Sequence, residues 1–228
     1  MKDKGERSGH KMQRKEKIAM PVIRRLPRYY RFLTELEADG ITRISSRELS
    51  ERMGLTASQI RQDLNCFGGF GQQGYGYAVH LLRETIGEIL GLGSGYKTVL
   101  VGAGNLGRAV ASHISFDRLG FSLIGIFDRD PALVGHLLNG ITIRSTDELE
   151  IFCKEKRPEV AILCVPMAAA GEIGRRLIEW GVKSFWNFSH YDFSSEFPEV
   201  LVENVHMNDS LMTLCYRLSE KRRQSEEN

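Results

Sequence analysis

Apolar residues along the chain recur first at helical spacing, then in short strand-like runs separated by helical stretches. Behind Pro21, placed where a first helical turn tolerates proline, Val22, Leu26, Tyr29, Leu33 and Leu36 form one apolar stripe that stops near Gly40. Ser45-Ser46-Arg47-Glu48 is a capping box with Ser45 as N-cap, and predicts a second helix to about Met53, closed by Gly54. Thr56-Ala57-Ser58-Gln59 repeats the signal, with Thr56 capping a third helix and Gln59 in the reciprocal position. Two short capped helices joined by a tight turn at Gly54-Leu55 make a helix-turn-helix. From Phe67 to Tyr77 glycine alternates with Phe and Tyr, a pattern that resists a helix and predicts a small hairpin, a wing behind the third helix. Residues 80–92 read as a closing helix, and Gly91–Gly95 as a boundary.

From Tyr96 the pattern changes. Strands are predicted at Thr98–Gly102, Phe121–Asp128, Ile141–Ile143, Glu159–Val165, Val182–Asn187 and Val200–Asn204, with helices at Leu106–Ile114, Thr146–Lys156 and Met167–Trp180. This alternation predicts a doubly wound, mostly parallel sheet, so the chain is α/β: a winged helix-turn-helix followed by a Rossmann-type domain. The last segment, Asn208–Gln224, carries Leu211, Leu214, Cys215 and Leu218 on one helical face and ends basic at Lys221-Arg222-Arg223. The expected organisation is a disordered basic tail over 1–17, a winged-helix DNA-binding domain over 18–92, a dinucleotide-binding domain over 96–205, and a C-terminal helix and tail over 206–228.

Composition narrows the class. The 228 residues are 42% hydrophobic and 26% charged, and no apolar run approaches the roughly 18 residues of a membrane span. The first 17 residues are polar and charged, without the apolar core of a secretory signal, which points to the cytoplasm. Cys66, Cys153, Cys164 and Cys215 lie far apart with no paired ligands at metal spacing, so they are expected to be structural thiols, and no metal is expected. The net charge of +2 hides an asymmetry: residues 1–65 hold 15 Lys+Arg against 9 Asp+Glu, so the front is basic and the back slightly acidic. Such a division suits a front half that meets a polyanion.

Two constellations carry chemistry. The first is Gly102-Ala103-Gly104-Asn105-Leu106-Gly107, lying between a predicted strand and a predicted helix. Gly102 permits the tight turn, Gly104 lets a pyrophosphate approach the backbone, and Gly107 lets helix and strand pack closely. The N–H groups at the helix start then hold the phosphates. Asp128, at the end of the next strand and 21 residues beyond Gly107, can accept the adenosine ribose hydroxyls. Its charge favours NADH and NAD⁺ over their 2′-phosphorylated forms, although the adjacent Arg129 could accommodate such a phosphate. Val165-Pro166 and Asn187-Phe188 close later strands at the edge where ligands bind in such sheets, and Asn187-Phe188 could face the nicotinamide. No His/Asp or Tyr/Lys catalytic pair emerges, so the site is expected to sense its ligand without turning it over.

The second constellation is the third helix. Its N-terminal part nominates Thr56, Ser58, Gln59, Arg61 and Gln62 for base edges, since Arg can bridge guanine O6/N7 and Gln can pair with adenine N6/N7. Ile60 and Leu64 should point into the core, and Asp63 should orient Arg61 or cap backbone. Arg43, Ser46, Arg47 and the wing residues Gln72 and Gln73 are the candidates for phosphate contacts. The competing reading, a small NAD(P)-dependent oxidoreductase with an accessory N-terminal domain, has no use for a capped helix pair and a wing.

These residues also resemble a known family. Arg25-Leu-Pro27-Arg-Tyr-Tyr30, Ile44–Leu49, Ile60–Leu64, Phe67–Gly71 with Gly74–Tyr77, Gly102–Gly107, Phe127–Pro131, Val165-Pro166 and Asn187-Phe188 together are similar to the bacterial Rex family of redox-sensing repressors. The resemblance implies a homodimer whose C-terminal helix, about Asn208–Arg222 here, is exchanged between partners. It further implies a palindromic AT-rich double-stranded DNA operator and release when NADH rises. Two departures stand out. Many members carry a basic residue where Gln62 stands and Lys or Arg where Gln72-Gln73 stand. A Tyr and an Asp that couple to the nicotinamide in other members are matched here by His113 and His206, which would make the NADH response sensitive to pH.

Overall fold

The computed structural model describes residues 18–68, 71–72 and 76–226, which fall into two units dividing between Leu92 and Gly93. The tail over 1–17 and Gln73 in the wing lie outside the described residues.

The first unit begins with two helices where the apolar stripe predicts one: α1 (Met20–Ile23) and α2 (Leu26–Ala38). The break has a cause in the sequence, because Pro27 lacks an N–H and so sits in the first turn of a new helix. β1 (Arg43–Ile44), α3 (Ser46–Met53), α4 (Ala57–Asn65), β2 (Gly71–Gln72), β3 (Gly76–Ala78) and α5 (Val79–Leu90) follow. The capping box on α3 forms in full: the Glu48 N–H donates to Ser45 Oγ at 3.1 Å and the Ser45 N–H to Glu48 Oε2 at 2.8 Å. Glu48 is held below the usual carboxylate range by that Ser45 N–H first, then by the hydroxyl. The three strands lie in the order β1-β3-β2, all antiparallel, with Ile44 opposite Tyr77. The predicted hairpin is therefore anchored on a third strand from the other side of the helix-turn-helix. Leu26, Tyr29, Leu33 and Leu36 of α2 meet Leu82 and Ile86 of α5 in a core that also takes Leu49, Met53, Ile60 and Leu64. α3 thus contributes Leu49 and Met53, and α4 Ile60 and Leu64, as buried apolar anchors.

The second unit runs β4 (Tyr96–Val101), α6 (Asn105–His113), β5 (Phe121–Asp128), β6 (Leu137–Leu138), β7 (Ile141–Ser145), α7 (Leu149–Lys156), β8 (Val160–Leu163), α8 (Met167–Glu179), β9 (Ser184–Asn187), α9 (Phe193–Glu196), β10 (Leu201–Asn204) and α10 (Met207–Glu226). Its seven strands lie in the order β10-β9-β8-β4-β5-β7-β6, and all but β6 are parallel. Successive residues of each central strand serve opposite cores. Val99, Val101, Phe127, Ala161 and Leu163 face one cluster, while Leu100, Ile126 and Ile162 face the other. Burial on both faces is why these strands read as continuous apolar runs. β6 is absent from the predicted strands. It is a two-residue antiparallel arm folded onto β7 through Asn139-Gly140, both at positive φ, the geometry of a tight hairpin.

The strand order reverses between β8 and β4, so the carboxyl ends of those two strands open a crevice. The described part of α10 stands apart from both cores, with Leu211, Leu214 and Leu218 about half exposed or more, and Cys215 exposed rather than packed.

Candidate functional sites

The glycine turn sits at that reversal. Gly102 has φ +99°, and a Cβ there would lie 2.5 Å from the Cys164 carbonyl oxygen, so the turn presses directly on the end of β8. A Cβ on Gly107 would fall 1.8 Å from the Gly102 carbonyl oxygen, which fixes how closely α6 lies on the turn. Gly104 differs from both: a Cβ there meets nothing within 4 Å, so the space above it is open. It is the N-cap of α6 and carries no capping side chain. The N–H groups of the first turn behind it have no intrahelical acceptor, and helix geometry aims them at the same opening.

Asp128 ends β5 beside this turn. Its Oδ2 accepts the Ala103 N–H at 2.5 Å and its Oδ1 the Asp130 N–H at 2.9 Å. The carboxylate braces the glycine turn, and each oxygen retains acceptor capacity for a hydroxyl. A cleft of about 370 Å³ runs from Gly102 and Gly104 past Asp128 and Arg129 to Val165 and Pro166. Ala103 and Gly107 are buried behind that surface, and Asn105 and Leu106 open the helix above it.

The far wall was not foreseen. Ala169, Glu172, Ile173, Arg176 and Trp180 reach the cleft from one side of α8 and its C-cap. Recurring at i, i+3, i+4, i+7 and i+11 from Ala169, they form one helical face, a signal present in the sequence but hidden because the same helix also buries Ala170, Gly171, Gly174 and Leu177. The Arg176 guanidinium lies 5.3 Å from the Trp180 ring centroid, giving this wall a flat aromatic and cationic end. Burial pushes the Cys164 thiol, also in the wall, up to about 12, and the Cys153 thiol to about 11, so neither is a nucleophile at neutral pH.

Asn187 and Phe188 are not among the cleft walls. The buried Asn187 amide donates to the Tyr191 carbonyl and to Asn204 Oδ1, both at 2.8 Å, and accepts from the Ser189 N–H at 3.0 Å and its hydroxyl at 2.5 Å. Its amide therefore shapes its own loop, and Phe188 packs edge-on to Trp186.

In the first unit most of the predicted DNA-facing residues that the structure describes are exposed. Thr56 caps α4 by accepting the Gln59 N–H at 3.1 Å. Thr56, Ser58, Arg61 and Gln62 are exposed on α4, Arg43 and Arg47 are exposed beside it, and Ser46 is half-buried. Arg61 Nη1 donates to Ser46 Oγ at 3.2 Å, joining two candidate residues across the turn, while Arg47 lies 3.5 Å from Glu51. Gln72 is on β2.

Two expectations for α4 are corrected. The Gln59 side chain does not reach back to the cap; its Nε2 donates to Asp63 Oδ1 at 3.0 Å. Nor does Asp63 orient Arg61. It is buried and takes a forked pair from Arg25, Nε to Oδ2 at 2.7 Å and Nη2 to Oδ1 at 2.6 Å, with the Tyr29 hydroxyl at 3.0 Å. Arg25 is 38 positions away at the α1–α2 break, a distance at which no local pattern could signal it. Burial works to raise the Asp63 carboxyl, but the donors from Arg25, Gln59 and Tyr29 outweigh it and hold the group below the usual carboxylate range. Desolvation, then the bond to Asp63, raises Tyr29 well above an ordinary phenol.

A capped helix-turn-helix with a wing and a doubly wound unit with a glycine turn at its crevice define a ligand-responsive DNA-binding regulator. Residues 17–65 match the family model described as "Putative DNA-binding protein N-terminus", and residues 94–191 the model described as "CoA binding domain". A redox-sensing transcriptional repressor Rex from Clostridium perfringens (strain SM101 / Type A) is 51% identical over 208 residues, 91% of this chain and 98% of its own. The Rex repressor of Thermoanaerobacter pseudethanolicus is 50% identical over 92% of this chain and 93% of its own. The crystal structure of the protein RSP with β-NADH matches with 45% identity and a TM-score of 0.84, covering 92% of this chain and 99% of that one. RSP with β-NAD⁺ and operator DNA matches with 48% identity and a TM-score of 0.83, covering 93% and 97%. The chain belongs to the Rex family of redox-sensing transcriptional repressors.

Proposed function

We propose that this chain is a repressor that reads the balance of NADH and NAD⁺, binding a palindromic AT-rich operator as a homodimer and leaving it when NADH occupies the cleft. The observation that carries the reading is the extent of the match: relatives named as Rex repressors align over nine-tenths of the chain, through both units. The second unit's likeness to a CoA-binding domain is compatible with this, because CoA and NADH share the adenosine diphosphate portion that a glycine turn holds. On this reading Gly102–Gly107, Asp128, Arg129, Val165, Pro166, Asn187 and Phe188 hold the dinucleotide. Arg61, Gln62, Thr56, Ser58 and Gln59 face bases, while Arg43, Ser46, Arg47, Gln72 and Gln73 face phosphates. The cytoplasm is the expected compartment, and among the described residues no helix is long and apolar enough to cross a membrane.

Dimerisation accounts for α10. Met207, Leu211, Met212, Leu214 and Leu218 are all about half exposed or more, more apolar surface than a lone helix keeps in water. Exchange of this helix with a partner would cover it. NADH then acts by population shift, favouring a dimer whose two α4 helices no longer match successive major grooves.

The test is fluorescence anisotropy on an AT-rich palindromic duplex, titrated with NADH and separately with NAD⁺ at one salt concentration, since phosphate contacts make affinity salt-dependent. Release by NADH and not by NAD⁺ is expected; tight binding indifferent to both would overturn the reading. Arg61→Ala should weaken operator binding by about 1–3 kcal/mol and leave NADH binding intact. Asp128→Ala should do the reverse, keeping operator affinity while losing the response to NADH.

A further inference from the structure

The ends of the last two strands deliver two imidazoles to one point. After β9, the Asn187 amide folds the loop back on itself, and His190 takes φ +62°, a left-handed conformation that histidine adopts more readily than most side chains. After β10, whose last residue Asn204 is held by the same amide, His206 directly precedes α10. The two rings stack with centroids 4.8 Å apart and planes 21° from parallel, and Nδ1 lies 2.6 Å from Nδ1. Both residues are exposed, and His113, on the last turn of α6, is not part of the pair.

Two ring nitrogens at that distance require a proton between them, one ring donating its N–H and the other accepting with a bare nitrogen. A shared metal ion fits poorly, because zinc–nitrogen bonds of about 2.0–2.1 Å at a tetrahedral angle would hold the nitrogens about 3.3 Å apart. A pair carrying one cationic ring keeps the bridge. A pair carrying two loses its acceptor and sets two positive charges side by side. Among the described residues no carboxylate lies within ion-pair distance of either ring to offset that charge. The charged groups on the flanking segments are Asp192, whose carboxylate caps α9, and Glu203 and Asp209, of which Asp209 meets His206 only through its backbone N–H.

We propose that His190 and His206 form a proton-sensitive latch at the root of α10, closed while the rings share one bridging proton and opened when both become cationic. The latch fixes where α10 leaves the sheet.

Hydrogen exchange of the full chain, corrected for intrinsic rates, tests it at pH 8 and pH 5.5 over residues 205–213, with the β4 amides as an internal control. Wild type should lose roughly 3- to 10-fold of its protection in that segment at the lower pH, the worth of one hydrogen bond, with β4 unchanged. His190→Asn, which keeps a residue tolerant of positive φ, and His206→Asn should each show the weaker protection at both pH values. An unchanged wild-type segment, or the same pH response in both variants, would overturn the latch. So would loss of protection at pH 8 on adding EDTA, since a bound metal would then be the tie.

Discussion

Gly107→Ala is expected to cost about 3 kcal/mol of stability in the second unit and to weaken NADH binding by roughly 100-fold. The new methyl would arrive 1.8 Å from the Gly102 carbonyl oxygen, and backbone at a turn cannot rotate out of the way as a side chain can. Gly102 is itself pinned between the Phe127 carbonyl, which accepts its N–H at 2.8 Å, and the Cys164 carbonyl against its α-carbon. The helix must therefore move away from the strand, and its first-turn N–H groups leave the phosphate position with it. Gly104→Ala separates the two effects. Its methyl meets nothing within 4 Å, so stability should change by less than about 1 kcal/mol, while the methyl fills space through which a pyrophosphate must approach. Thermal unfolding and NADH titration on both variants check this. Wild-type affinity in Gly107→Ala would remove the glycine turn from the binding site.

The contrast between those glycines shows what a sequence can and cannot declare. All three positions stand in one six-residue motif, and their order between strand and helix is local information. The same is true of the Ser45 and Thr56 caps and of Phe121–Asp128, whose predicted and observed limits coincide. Each depends on residues within one turn or one strand. Which glycine is buttressed by Cys164 and which is open depends on β8, some sixty positions on, and only the folded sheet reveals it.

What the sequence left unread depends on partners and lengths that no local pattern displays. The Asn187 amide, at a strand end, is bonded to Ser189, Tyr191 and Asn204, the last of them on a different strand. The Asn139-Gly140 turn was readable as a hairpin signal, but β6 is only two residues long and offers no alternation to detect. His206 has His190 as its partner, brought close only by the loop that Asn187 shapes.

Asp63→Ala should be the most damaging single change in the first unit, at about 3 kcal/mol, within the range for breaking a buried ion pair by removing one partner. The Arg25 side chain keeps 29% exposure and can regain water, which places the loss toward the lower end of that range. The buried Tyr29 hydroxyl cannot do so and is left without its acceptor. For a unit of this size the change corresponds to a fall of roughly 12–24 °C in the unfolding temperature. Asp63→Asn, which keeps the shape and loses the charge, should lie between the variant and wild type. Because the Asp63 carboxyl sits below its ordinary value in the folded chain, the stability it contributes is present above the unfolded value, about 3.9, and is lost as the pH falls through the lower folded value. The gap between wild type and Asp63→Ala should accordingly stay constant from pH 8 to pH 5 and close only in stronger acid. Operator affinity should fall with stability, since Asp63, itself bonded by Gln59, ties α4 to the Arg25 turn and so fixes the angle at which Arg61 is presented. A variant as stable as wild type at pH 7 would mean that packing of Ile60 and Leu64 alone seats the helix.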